Sequence, residues 1–154
     1  MMQHLERGQI NVWRVTEAIE LVVLVAIAVI LKIAFDTAGG IDLAWLIAAF
    51  TLFGLAQLLF LPGRRYRFWA FRVDPDELHV HQGVFVRKET VVPFGRVQHT
   101  DTAQGPVERA FGVCRLVLHT AGTHNSVVTL PGLSRETADT LRDIIRAHIR
   151  SDLA

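Results

Sequence analysis

Residues 21–61 read LVVLVAIAVILKIAFDTAGGIDLAWLIAAFTLFGLAQLLFL, two apolar runs joined through Asp36-Thr37-Ala38-Gly39-Gly40. The first run extends from about Val15 to Phe35 and the second from Ile41 to Leu61. Each holds about 20 residues, which at about 1.5 Å rise per residue cross the roughly 30 Å hydrocarbon core of a bilayer. The reading is a two-helix transmembrane hairpin over residues 15–61. A cleaved signal peptide is disfavoured, because the first run is longer than a signal's apolar region, no small-x-small pattern follows Phe35, and a second span comes directly after it.

Working outward, the flanks set an orientation. Arg7 and Arg14 precede the first run, Arg64, Arg65 and Arg67 follow the second, and the connection offers only Asp36 and Asp42. Lys and Arg concentrate on the cytoplasmic side, so both termini are expected there, in a multi-pass membrane protein. Residues 1–14 read as a polar cytoplasmic lead, a tether ending with Trp13 at headgroup level. Glu17, Glu20 and Lys32 lie close enough to the span ends to snorkel rather than to form an ion path. In the second run, Ala44, Ala48, Ala49 and Gly54 are small enough for close packing against the first.

The rest of the 154-residue chain has an ordinary globular composition, and the mean hydropathy of +0.32 averages the two populations. The expected boundary is Pro62-Gly63, leaving residues 62–154 as one cytoplasmic domain. From Pro62 onward there are 13 Lys and Arg against 10 Asp and Glu, a net of +3. That is too weak for nucleic acid but compatible with anionic lipid. A single cysteine, Cys114, excludes an internal disulfide and fits a reducing compartment.

After Pro62-Gly63 the period changes to alternation. Arg65–Val73 is expected as a strand with Trp69, Phe71 and Val73 on one face, Asp74-Pro75-Asp76 as a turn, and Glu77–His81 as a second strand. Gln82-Gly83 reads as a tight turn and Phe85–Val92 as a third strand stopped by Pro93. Arg96–Asp101 gives a fourth. Pro106–Phe111 is a helical turn ended by Gly112, with Val107 and Phe111 inward and Glu108 and Arg109 outward. Cys114–Thr120 alternates, with Cys114, Leu116 and Leu118 inward. Ser126–Leu130 follows, broken by Pro131-Gly132. Ser134 caps a helix to about Arg150 whose stripe is Ala138, Leu141, Ile144, Ile145, His148 and Ile149.

The strings Val92-Pro93-Phe94-Gly95-Arg96-Val97-Gln98-His99-Thr100-Asp101, Gln104-Gly105-Pro106-Val107-Glu108-Arg109-Ala110-Phe111-Gly112, Thr120-Ala121-Gly122 and Leu130-Pro131-Gly132-Leu133 occur in this order. Together they resemble the signature of the bacterial pleckstrin-homology (PH) membrane proteins of the YdbS-like group. One departure is Thr100, where the resemblance leads one to expect an apolar residue. The resemblance implies an α+β membrane protein: a transmembrane helical hairpin, then a mainly antiparallel β PH-like domain closed by a C-terminal helix. It implies no enzyme activity and no cofactor. The partner it implies is a larger membrane protein with several PH-like domains; self-association is the alternative.

Two function classes follow: a membrane-anchored protein-interaction module, which is favoured, and a lipid-headgroup sensor. Headgroup-binding relatives place basic residues in the first strand loop, whereas this chain has Asp74-Pro75-Asp76-Glu77, whose carboxylates repel phosphate. Arg64, Arg65 and Arg67 remain as candidate contacts to anionic headgroups, worth about 1 kcal/mol each. Arg96, Gln98, Glu108 and Arg109 are the candidate partner contacts. His79, His81, His99 and His119 show no metal-ligand spacing such as H-E-x-x-H, so no metal is expected. Ser126, His119 and Asp101 could be drawn as a triad, but no nucleophile elbow accompanies them and no catalytic residue is assigned.

Overall fold

The structure is a computed structural model that describes residues 2–37, 44–121 and 127–151, with no side-chain placement at 36, 37 and 149–151. The turn between the spans, Gly122 and Ser126 therefore lie outside the described residues. The chain divides into two compact units: Trp13–Gly63, and Met1–Val12 together with Arg64–Ala154.

The first unit is the hairpin. Helix α1 covers Gly8–Thr37 and α2 covers Ala44–Arg67, both long and apolar enough to cross a membrane. Their apolar side chains, such as Val22, Ile30, Leu52 and Phe60, are exposed to the surroundings rather than to a protein core, as lipid-facing helices require. Gly54 lets the helices approach, since a Cβ there would run into Leu21. Ala48 and Ala49 are exposed and do not share that role. The Thr51 hydroxyl is satisfied within α2 by donating to the Ile47 carbonyl at 2.7 Å.

The units divide between Gly63 and Arg64, beside the expected boundary, but the expected helix end at Leu61 is corrected. Proline at 62 removes one backbone bond, yet α2 continues through it to Arg67. The Pro62 ring is fully buried, and Arg64, Arg65 and Arg67 lie in the final turn, where cations complement the carbonyl end of a helix. They are helical, not part of a strand. Strand β2 is only Ala70–Val73; Trp69 and Phe71 are buried together with Ala70 between them, so the one-face alternation does not hold here, and Val73 is half-buried.

The second unit is an antiparallel β domain. Its first sheet has the order β1-β2-β3-β4, with β1 Gln3–His4, β3 Glu77–Gln82 and β4 Lys88–Pro93. The N-terminal lead is thus not only a tether. Gln3 and His4 pair with Phe71 and Ala70, Leu5 is buried, and its carbonyl accepts the Tyr66 hydroxyl at 2.8 Å. The expected turn at Asp74 is present, closed by the Asp74 N–H donating to the Glu77 carbonyl.

The β3–β4 connection differs from the expected tight turn. It runs from Gly83 to Arg87, and Phe85 and Val86 belong to the loop rather than to a strand. Gly83 has φ of +117°, and a Cβ there would collide with the Val86 carbonyl oxygen, so the loop closes over a position that only glycine fits.

A 3₁₀ turn, Phe94–Arg96, leads to the second sheet, β5-β6-β7, formed by Val97–Ala103, Cys114–Thr120 and Val127–Leu133. Cys114, Leu116 and Leu118 are fully buried, as the alternation predicts. Pro131-Gly132 does not end β7. It forms a bulge between the Leu116–Leu130 and Cys114–Leu133 pairs, with Gly132 at φ +64°, and the Gly132 carbonyl accepts the Glu6 N–H at 2.7 Å. Helix α3 is Pro106–Ala110.

Helix α4, Arg135–Ser151, starts where expected. The Thr137 N–H donates to Ser134 Oγ at 3.1 Å, an N-cap bond. Ala138, Leu141 and Ile145 are buried at 3, 4 spacing, while Ile144 sits at the exposed margin of the stripe.

Candidate functional site

Of the four residues expected to meet a partner, the fold separates two from two. Arg96 and Gln98 are exposed where β5 begins. Helix α3 follows its other end, where Ala103 pairs with Arg115, so roughly 20 Å of strand lies between them at about 3.4 Å per residue. Glu108 is corrected outright: it is 6% exposed. Its Oε2 accepts the Gly105 N–H at 2.6 Å and its Oε1 accepts Arg115 Nη1 at 3.5 Å. The glutamate secures the first turn of α3 instead of facing a partner. Phe111, expected inward, is at the surface. Of the α3 pair only Arg109 remains exposed.

The loop after β3, which includes the first residues of the strand expected from Phe85, carries a more exposed apolar surface. Phe85 is 84% and Val86 79% exposed, the highest values among the described large apolar side chains, and Arg87 and Lys88 follow directly. Beside the loop is a cleft of about 360 Å³ whose lining includes Met2, Phe68, His81, Gly83, Arg87 and Lys88. Apolar contact with a cationic rim suits either a protein surface with acidic margins or the interfacial zone of a bilayer. One signal was available in the sequence: glycine at 83 permits a positive φ.

The same sheet collects titratable groups on its outer face. His79 Nε2 contacts Glu77 Oε1 at 2.7 Å and Asp74 Oδ2 at 3.4 Å, while its Nδ1 contacts Glu89 Oε1 at 3.3 Å. The Glu89 oxygen also lies 3.4 Å from His81 Nε2, and Arg72 pairs with Asp74 at 2.8 Å. The Glu77 hydrogen bond, opposed by desolvation and aided by Glu89, raises the His79 pKa above 6.5. The i, i+2 spacing of His79 and His81 puts both on one face of β3, whereas the approach of Glu89 has no sequence signal, because it depends on the β3–β4 register that sets His81 opposite Glu89.

On the second sheet His99 and His119 are cross-strand partners. Their rings stack at 4.1 Å between centroids, and His119 Nε2 lies 3.3 Å from Asp101 Oδ2. Ser126, the third member of the triad considered above, lies outside the described residues. Burial raises the Cys114 thiol pKa, and the thiol contacts the Leu133 carbonyl at 3.5 Å, the behaviour of a core residue rather than a nucleophile.

A family model described as "Bacterial PH domain" matches residues 17–149. The chain is 31% identical over 143 residues to UPF0699 transmembrane protein YdbS of Bacillus subtilis (strain 168), covering 88% of this chain and 85% of that one. It is 25% identical over 107 residues to UPF0699 transmembrane protein YdbT of the same organism, covering 69% of this chain but 19% of YdbT. No solved structure matches.

Proposed function

This chain belongs to the bacterial PH domain family, as a YdbS-like membrane protein, and from that premise we propose that it is a non-enzymatic, membrane-anchored protein-interaction module. Its partner is a larger membrane protein carrying PH-like domains, and the reading places both termini in the cytoplasm. The observation that carries the proposal is the exposed Phe85-Val86 tip: two large apolar side chains held in water need a covering surface to be worth their exposure. The match to about a fifth of YdbT supports a domain of this type occurring within longer membrane proteins. The orientation rests on Arg7, Arg14, Arg64, Arg65 and Arg67 flanking the spans.

The second reading, a lipid-headgroup sensor, draws on Arg87 and Lys88 beside the same tip. Against specific phosphate recognition stand Asp74, Asp76 and Glu77 in the β2–β3 turn.

The test is purification from mild detergent, comparing wild type with a Phe85→Asp, Val86→Asp double variant. The proposal expects a co-purifying membrane protein that the variant loses while its melting temperature stays within a few degrees. Retention of that protein by the variant contradicts it. Loss of binding to anionic but not neutral vesicles, with no protein partner in wild type, transfers the site to the second reading.

A further inference from the structure

Around His79 the outer face of the first sheet assembles the carboxylates of Asp74, Glu77 and Glu89 and the imidazoles of His79 and His81; Arg72 pairs with Asp74, and Arg87 and Lys88 line the cleft beside His81 and Glu89. Three ligand atoms, on His79, His81 and Glu89, lie within 4.8 Å of one another.

The spacing can be compared with a metal's requirement. Bonds of about 2.0–2.2 Å from zinc to nitrogen or oxygen place neighbouring ligands of a tetrahedron about 3.3–3.5 Å apart. Glu89 Oε1 is 3.3 Å from His79 Nδ1 and 3.4 Å from His81 Nε2. The other nitrogen of His79 already faces Glu77 Oε1 at 2.7 Å. That is the carboxylate–histidine support that fixes the tautomer and ring plane of a metal-bound imidazole. The His79 side chain is 11% exposed and therefore held in place, whereas His81 and Glu89 open to solvent and leave a fourth position for water.

We infer that His79 Nδ1, His81 Nε2 and Glu89 Oε1 form a three-ligand site for zinc or a similar borderline divalent ion, with Glu77 positioning His79. Two imidazoles with one carboxylate favour this class over calcium or magnesium, which take oxygen ligands. The ion fastens β3 to β4 at the root of the Gly83–Arg87 loop. The site stands whether or not that loop binds a partner.

The other histidine cluster makes a poorer ligand set. His99 and His119 stack with 11° between planes and 4.1 Å between centroids, so their in-plane lone pairs lie in nearly parallel, separated planes instead of converging on one ion.

The test uses the full-length protein in detergent, freed of any affinity tag and stripped with a chelator, titrated calorimetrically with zinc chloride. The inference expects saturable binding of one zinc per chain, a loss of at least tenfold in affinity in His81→Ala and in Glu89→Gln, and a weakening of about 10- to 100-fold with unchanged stoichiometry in Glu77→Gln. A His99→Ala, His119→Ala double variant is expected to bind as wild type. No saturable binding by wild type, wild-type affinity in His81→Ala, or loss confined to the His99, His119 variant overturns it. Because His81 and Glu89 are solvent-accessible, circular dichroism is expected to show all variants folded. An unfolded His81→Ala is replaced by His81→Gln, held to the same criterion.

Discussion

Glu108 shows how one side chain can change role between sequence and fold. In the string Gly105-Pro106-Val107-Glu108 an outward carboxylate is a natural reading of a short surface turn, but a glutamate three residues after an N-cap is also positioned to accept the cap's own N–H. The structure takes the second course, at 2.6 Å. Glu108→Ala is therefore expected to destabilise the domain by about 0.5–2 kcal/mol, because the part-buried Gly105 N–H loses its acceptor at the helix start, and chemical denaturation would measure it; no change would return Glu108 to the surface role. Cys114, by contrast, was legible, since strict alternation over Cys114–Thr120 fixes which residues face inward. His79 yields a pH prediction. Its pKa is raised above 6.5, first by the Glu77 hydrogen bond, so the charged form stabilises the fold. That contribution is complete below the unfolded value of about 6.5 and is lost as pH rises through the higher folded value. With a chelator present, the melting temperature of wild type relative to Glu77→Gln is expected to fall as pH climbs through that window; a constant difference would contradict the assignment.

At the scale of elements, local signals misled wherever distant contacts decided. Pro62-Gly63 marks a helix stop by composition, yet α2 carries through to Arg67, and Tyr66 near its end donates to a carbonyl contributed from 61 residues away. No spacing rule reports such a partner. The lead was similarly opaque: Gln3–His4 is too short to show a period, and it becomes a strand only because β2 offers Phe71 and Ala70 to pair with. If Leu5 is part of the core, Leu5→Ala in the full chain should lower domain stability by about 2–4 kcal/mol. A tether residue would change it by under about 0.5 kcal/mol, and thermal melting of the two proteins distinguishes them. Helix α4 was readable from sequence because its Ser134 cap and its Ala138, Leu141, Ile145 stripe are both local patterns.

At the scale of the whole molecule, the domain is assembled from both ends of the chain, Met1–Val12 and Arg64–Ala154, with the spans between them in sequence. The hairpin was visible from apolar length alone, and the fold class from alternation followed by one amphipathic helix. The exposed tip was not, because Phe85 and Val86 continue an apolar run that reads as strand until Gly83 is seen at positive φ. The proposed orientation makes a prediction: Gly40→Cys in a Cys114→Ser background is expected to react with an impermeant thiol reagent added outside intact cells, and no labelling beside a labelled external control would contradict it. The central claim is that the apolar tip meets another membrane protein. It is tested most directly by placing a photoreactive amino acid at position 85 of the full-length protein and irradiating living cells. The account predicts a discrete crosslinked adduct with a membrane protein, absent when the same group replaces Val127 on the far sheet. Crosslinks to lipid alone, or no adduct from position 85, would contradict it.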